Sequence, residues 1–310
     1  MGSFFSVIIP LYNKADTILR TLASVEAQTF RDFEVIIIDD GSKDKGVAVI
    51  QNSQFANQCR ITSQPNKGVS AARNAGVAQA NGDYLCFLDA DDEWFPHYLQ
   101  RMSELIKKFP GAGIYGAGFT RPGYKLKKGF RRDGYCDIFD EATVKMPFNT
   151  DGLIIPKDIF MSFGGFDEIV SYYEDYQLIF QIALKYDVVV TREILTIYNF
   201  DAKESANGKV RDFSISLFPH FFVVEKSLQD GERRQSVRRY ACWQMRSMLS
   251  YSILRGKRGD EEKVRQAFLC MCQCVPEQRL YRKNMIGTIF CFFISKYIGL
   301  RFRLAILGLV

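Results

Sequence analysis

Asp89-Ala90-Asp91 sets two carboxylates two positions apart, directly after the apolar run Tyr84 to Leu88 (YLCFL). If the chain is still extended there, both acids project to one side and Ala90 to the other. Two hard oxygen donors held together suit Mg²⁺ or Mn²⁺, ions that complete their shell with water and substrate phosphate. An Asp-rich turn that merely ends a strand is the alternative reading. Asp39-Asp40-Gly41-Ser42 follows a second apolar run, Phe33 to Ile38. An Asp at such a place can accept a hydrogen bond from a nucleobase N–H or a ribose hydroxyl, and Gly41 lets the chain turn close to a ligand. An Asx turn ending the strand is compatible with that use. Asp175 opens a segment in which Ile179, Ile182 and Tyr186 recur at helical spacing. A carboxylate on that apolar side, at a helix N-terminus that favours its charged form, suits a general base; helix capping would also explain it.

Other chemistries lack their residues. No G-x-G-x-x-G follows the first apolar run, which disfavours the common dinucleotide site. Gly41 to Gly46 has P-loop spacing, but Val47-Ala48 stand where Lys and Ser/Thr are required. His97 and His220 are too few and too far apart for a zinc hydrolase. Cys270, Cys272 and Cys274 alternate within a helical pattern and cannot all face one metal. The 8 cysteines are irregularly placed and make no disulfide framework, so a reducing, cytoplasmic setting is the simplest reading.

The elements that must position these acids alternate between strand and helix. Strands are expected at Phe4 to Pro10, Phe33 to Ile38, Arg60 to Ser63 and Tyr84 to Leu88. Helices are expected after Asn13, over Gly68 to Ala80 with Ser70 as a cap, and from Pro96 to Lys108. That rhythm predicts an α/β fold, a mainly parallel central sheet with helices on both faces. In such sheets ligands collect at the carboxyl ends of the strands, where the polar clusters lie. Residues 120–147 break the rhythm with Arg121, Lys125, Lys127, Lys128, Arg131 and Arg132, and read as a mobile basic excursion. Regular structure is expected again over Thr150 to Ile155, at a Gly164 to Glu168 turn, and in a helix from about Glu174 to Lys185.

Charge divides the 310 residues unevenly. Residues 1–210 hold 23 Lys/Arg against 27 Asp/Glu, whereas residues 211–310 hold 18 against 8. We expect one α/β domain over 1–210 and a basic helical region over 211–310, with helices over Arg233 to Leu254 and Glu261 to Cys274. Met285 to Val310 is apolar but interrupted by Lys296, Arg301 and Arg303. It is too broken to span a bilayer and suits an anionic membrane surface, or else a buried helix pair or oligomer contact. Its basic residues lack the interleaved pattern of a nucleic-acid module, so no nucleic acid is expected as a partner.

In this order the pieces resemble the family 2 glycosyltransferases, with their GT-A fold. The matching stretches are Ser6 to Asn13, Val35 to Ser42, Asn66 to Gly68 with Ala72 to Gly76, Phe87 to Asp92, Gly164 to Glu168, and Glu174-Asp175. The resemblance implies inverting transfer from a nucleoside diphosphate sugar, UDP being the commonest carrier in the family, with Mn²⁺ or Mg²⁺. It implies a nucleotide-sugar pocket of Pro10, Tyr12, Asp40, Arg73, Asp89 and Ala90, with Asp91 and Asp89 at the metal. Asp175, supported by Glu174, would be the catalytic base, and Gly165, Phe166 and Asp167 would border the acceptor. Processive relatives carry Gln-x-x-Arg-Trp and membrane spans; here Gln235 to Arg239 is a partial echo with Arg239 in place of Trp. The expectation is therefore transfer of one sugar, to a glycan or lipid-linked oligosaccharide acceptor, at the inner face of the cell membrane. Two rivals are a catalytically silent nucleotide-sugar-binding scaffold and a sugar nucleotidyltransferase. The latter normally has a Gly-rich basic loop where this chain has Leu11-Tyr12-Asn13-Lys14.

Overall fold

Contiguous apolar runs become strands buried on both faces. β1 (Phe5–Leu11), β2 (Phe33–Asp39), β3 (Arg60–Ser63) and β4 (Tyr84–Phe87) are parallel, in the order β3-β2-β1-β4. The computed structural model describes residues 3–123, 133–142, 146, 148–170, 173–199, 219–232, 234–241 and 243–244. Beyond β4 the sheet becomes mixed. β8 (Leu153–Pro156) runs antiparallel to β4 and to β6 (Ile114–Thr120). β9 (Val188–Ile197) lies parallel to β6 and also pairs with β5 (Glu93–Trp94) and β7 (Gly134–Cys136).

Pleating sorts each run into two cores. Ile8, Ile36, Ile38, Leu85 and Phe87 face one, with α3 (Val69–Gln79), α7 (Glu174–Ala183) and α8 (Pro219–Gln229) packed there. Val7, Ile9, Val35, Ile37 and Cys86 face the other, under α1 (Ile18–Glu26) and α4 (Tyr98–Lys108). The small residues of α3 have a packing cause: a Cβ on Gly76 would meet Ile8 Cγ2 at 2.5 Å. Close seating of α3 on β1 is what carries Arg73 to the end of the sheet.

Several expectations need correction. Ser70 does not cap α3; it lies inside the first turn with its hydroxyl buried and unpartnered. The cap position is Gly68 at φ 93°, a conformation serine avoids. The segment 120–147 is not wholly an excursion, because β7 and α5 (Ile138–Ala142) lie within it, and Ile138 and Phe139 are buried. Lys125, Lys127, Lys128, Arg131 and Arg132 lie outside the described residues, as do the expected boundary near 210, the helix over Glu261 to Cys274 and the tail Met285 to Val310. Among the described residues, no helix is long and apolar enough to cross a membrane.

Candidate active site

The register of β1 with β2 and β4 aligns their carboxyl ends, so Tyr12, Asp40 and Asp89 emerge along one edge. Tyr12 is exposed and Pro10 half-buried. Asp40 is buried, and its carboxylate accepts from Gln64 Nε2 (2.8 Å) and from the backbone N–H groups of Lys67 (2.9 Å) and Gly68 (2.8 Å). It thus shapes the loop leading into α3. Asp39 accepts from Ser42 N (3.0 Å), the Asx turn expected at this strand end.

The chain does not stay extended through Asp89-Ala90-Asp91. Asp92 N–H donates to the Asp89 carbonyl at 3.0 Å, closing a turn over this stretch. Asp89 Oδ1 accepts from Arg73 (2.7 Å), and Asp91 Oδ2 pairs with Lys14 Nζ (2.7 Å). Ala90 is buried. Three side chains from α1 and its cap hold the turn by successive carbonyls: Thr17 Oγ1 to Ala90 O (2.9 Å), Arg20 to Asp91 O (2.8 Å) and Thr21 Oγ1 to Asp92 O (2.8 Å). Asn199 Nδ2 also reaches Asp91 O (3.0 Å). Their spacing of three and four residues is one helix face, a signal visible in the sequence only once the turn is known to lie opposite.

Arg73 joins this turn to the second acidic motif. It is 3% exposed, gives one nitrogen to Asp89 and the other to Glu174 (2.9 Å), and lies 5.4 Å from the Phe166 ring centroid. Burial opposes its charge, but Asp89 and Glu174 overcome that and raise its pKa further. Asp175, next along α7, accepts from Thr150 Oγ1 (3.1 Å) and Tyr176 N (2.8 Å). Burial and the adjacent Glu174 push its carboxyl up to about 6, against the pull of Arg73. A base at pKa 6 is charged at neutral pH and still near the range where proton transfer is efficient. If Asp175 serves as that base, activity should fall below about pH 6 as its carboxylate takes a proton. In Glu174→Gln the raising influence is gone, so the acid limb of the pH–rate profile should move downward; an unmoved limb would mean that another group titrates.

Hard oxygen donors cluster at this turn, the donor type that a divalent ion takes. The side chains of Asp89 and Asp91 are 34% and 22% exposed, and Asp91 already holds a cation, the Lys14 ammonium, at hydrogen-bond distance. Asp92 and Asp151 lie beneath, each 1% exposed, with carboxylate oxygens of Asp89, Asp92 and Asp151 all within 4.8 Å of one another. Burial raises the pKa of both deeper acids; Asp151 and Asp89 raise Asp92 further, and Asp89 raises Asp151 against the lowering contact with Asp92. Asp151 is a residue the sequence reading missed. Its Oδ1 accepts from Asp89 N (2.9 Å) and its carbonyl from Trp94 Nε1 (2.8 Å), while neighbouring Thr150 holds Asp175.

The 3₁₀ turn Thr150–Gly152 therefore supports both halves of the site, and Gly152 lets it seat. A Cβ there would sit 2.4 Å from the Ala117 carbonyl oxygen. Gly152→Ala should cost about 1–3 kcal/mol, because backbone must move; an unchanged urea midpoint would contradict the packing. On the remaining side, Asn74 accepts from Phe166 N (3.0 Å) and donates to Phe166 O (2.8 Å) and Glu168 (3.0 Å). Gly165, at φ 78°, sits where a Cβ would press on Asn74 Oδ1 at 2.7 Å. Asp167 turns its carboxylate to Ile169 N (2.9 Å) and Gln177 (3.4 Å). The expected acceptor-side turn is thus tied to the same helix that carries Arg73.

Comparison with known proteins gives three findings. The family described as Glycosyl transferase family 2 matches residues 6–169. Among curated proteins, the chain is 41% identical over 113 residues to the amylovoran biosynthesis glycosyltransferase AmsB of Erwinia amylovora, a match covering 35% of this chain and 38% of that one. It is 25% identical over 214 residues to the uncharacterized glycosyltransferase RP339 of Rickettsia prowazekii, covering 65% of each. These matches span less than two thirds of either relative's length. Among solved structures, S. aureus TarS 1–349 in complex with UDP-GlcNAc aligns with TM-score 0.69 at 18% identity, over 88% of this chain and 82% of that one. The mannosyltransferase PcManGT from Pyrobaculum calidifontis in complex with GDP-Man and Mn²⁺ aligns with TM-score 0.58 at 16% identity, over 95% and 86%. At such identities the likeness is one of fold, the GT-A arrangement.

Proposed function

Because the chain belongs to glycosyl transferase family 2, we propose that it is a metal-dependent inverting glycosyltransferase that moves one sugar from a UDP-sugar to a hydroxyl of a glycan or lipid-linked oligosaccharide. The observation that carries this reading is the Arg73 bridge: one buried guanidinium ties a donor-side acid, Asp89, to the acid beside the base, Glu174. The UDP-GlcNAc in the TarS complex supports UDP as carrier, and the naming of AmsB supports polysaccharide assembly as the setting. Asp91 and Asp89 would hold Mn²⁺ or Mg²⁺, which as a Lewis acid would neutralise charge on the leaving diphosphate.

The chain's own residues supply the rest. Asp175 takes the proton of the acceptor hydroxyl as that oxygen bonds to the anomeric carbon; the bond from that carbon to the diphosphate oxygen breaks, and its electron pair leaves with the diphosphate. Thr150 and Tyr176 N orient the Asp175 carboxylate. Glu174 is engaged by Arg73, which leaves one carboxylate for a single displacement and hence inversion. Tyr12, exposed at the strand end, would lie against the nucleobase, and Pro10, Asp40 and Ala90 would shape the pocket around it. The turn at Gly165 and Asp167 would face the acceptor, seated by the Phe166 ring, which is buried in the core against Phe87 and Phe160. A hexosyl or N-acetylhexosaminyl group is the proposed cargo, and the basic, apolar tail supports a peripheral location on the inner membrane face, for polysaccharides such as lipopolysaccharide or capsule.

The test is a panel of nucleotide sugars with Mn²⁺, scored by thermal shift and by release of nucleoside diphosphate. A response confined to UDP-sugars, and abolished by a chelator, is expected. A protein that binds the donor and never releases diphosphate, with any acceptor glycan, would be a scaffold instead.

A further inference from the structure

Glu93, Arg20 and Asn199 lie outside the stretches that carry the resemblance. Glu93 opens β5, opposite Ile197 of β9. Its Oε1 is met by two groups from distant parts of the chain. Arg20 Nε, on α1, pairs with it at 3.0 Å, and Asn199 Nδ2, just past β9, donates to it at 3.0 Å. The same two side chains meet again on the Asp91 carbonyl, Arg20 at 2.8 Å and Asn199 at 3.0 Å. Asn199 N also donates to Asp92 Oδ1 at 2.6 Å. Two donors and two acceptors thus close a ring, with the Glu93 carboxylate at one point and the backbone of the acidic turn at another. The Arg20 side chain is 46% exposed. Held by a carbonyl alone, so open a side chain would keep much of its rotamer freedom; the carboxylate fixes its direction.

We propose that Glu93 is a positioning residue for the donor half of the site: through Arg20 and Asn199 it sets where the backbone of the acidic turn stands, and with it the carboxylates that turn presents. The inference rests on the reading of the turn Asp89 to Asp92 as the place of the donor's diphosphate and its metal. The carbonyls of Ala90 and Asp92 are held by the neutral hydroxyls of Thr17 and Thr21, whereas that of Asp91 has a charged donor, Arg20. Charge-assisted bonds are the stronger ones, so the contact that Glu93 steadies is the firmest of the three. Groups that support a ligand set from outside are worth about 10–100-fold in metal affinity or activity.

The experiment is isothermal titration of the full chain with UDP, first in Mn²⁺ and then in a chelator. Wild type should bind more tightly in Mn²⁺. Glu93→Ala should lose about tenfold or more of that affinity and keep its affinity in chelator, because the Asp40 side of the pocket is held by Gln64, Lys67 and Gly68. Glu93→Gln keeps an acceptor oxygen at the same reach and should recover most of the loss. Wild-type affinity in Mn²⁺ for the Ala variant would overturn the role, and so would an equal loss in both buffers, the mark of general damage. Should Glu93→Ala fail to fold, Asn199→Ala carries the test: it leaves the Arg20–Glu93 pair intact and should lose Mn²⁺-dependent affinity by a smaller factor, and an unchanged affinity would overturn the proposal. If wild type itself binds UDP alike in both buffers, the reading of the turn as a metal-assisted donor site fails, and the proposal with it.

Discussion

Asp175→Asn should lower kcat by about 10²–10⁴-fold and leave the affinity for the donor nucleotide unchanged. The substitution is isosteric, and its surroundings accept it. Tyr176 N can still donate to the amide oxygen, and the Thr150 hydroxyl, which now donates to Asp175, can instead accept from the new amide N–H. What disappears is only the capacity to take a proton. Because the Arg73–Glu174 and Arg73–Asp89 contacts do not involve Asp175 directly, the donor half should keep its shape. Isothermal titration with UDP, alongside initial rates of UDP release, separates the two effects. Unimpaired turnover in the variant would mean that the acceptor is deprotonated elsewhere.

The second large effect is on Arg73→Met, which should both destabilise the protein and abolish transfer. Removing the guanidinium leaves Asp89 and Glu174 without their shared cation, and a broken buried ion pair typically costs about 3–5 kcal/mol. Asp89 is a third exposed, which puts the expectation at the lower end of that range. Loss of the positive charge should also raise the Asp175 pKa beyond about 6, since Arg73 is among the groups that lower it. Arg73→Lys should fall between wild type and Met. A single ammonium cannot reproduce the fork that sends one nitrogen to Asp89 and the other to Glu174. Urea denaturation measures the stability term, and the acid limb of the Arg73→Lys pH profile measures the coupling to Asp175. Wild-type stability in the Met variant would show that the two acids do not depend on this bridge.

The parallel half of the sheet was legible because strands buried on both faces must be written as unbroken apolar runs, as in β1, β2 and β4. The mixed half was not. No strand was expected at β6, IYGAGFT, whose glycines break the apolar run; at Gly116 a Cβ would lie 2.4 Å from the Phe148 ring. β9 draws partners from β5, β6 and β7, at distances along the chain that no local period records. Ser70 had the residue type of a cap but the wrong position, since a cap depends on backbone dihedrals rather than on composition.

The order of acidic motifs along the chain was enough to identify the family, because residue type and strand-end position are local properties. The pairing of each charge belongs to the tertiary structure. Lys14 meets Asp91 across 77 positions, Arg73 meets Glu174 across 101, and Asp89 N meets Asp151 across 62. Coulomb energies depend on separation in space, and only the folding of β1, β4, α3 and α7 onto one edge brings those groups within a few ångströms.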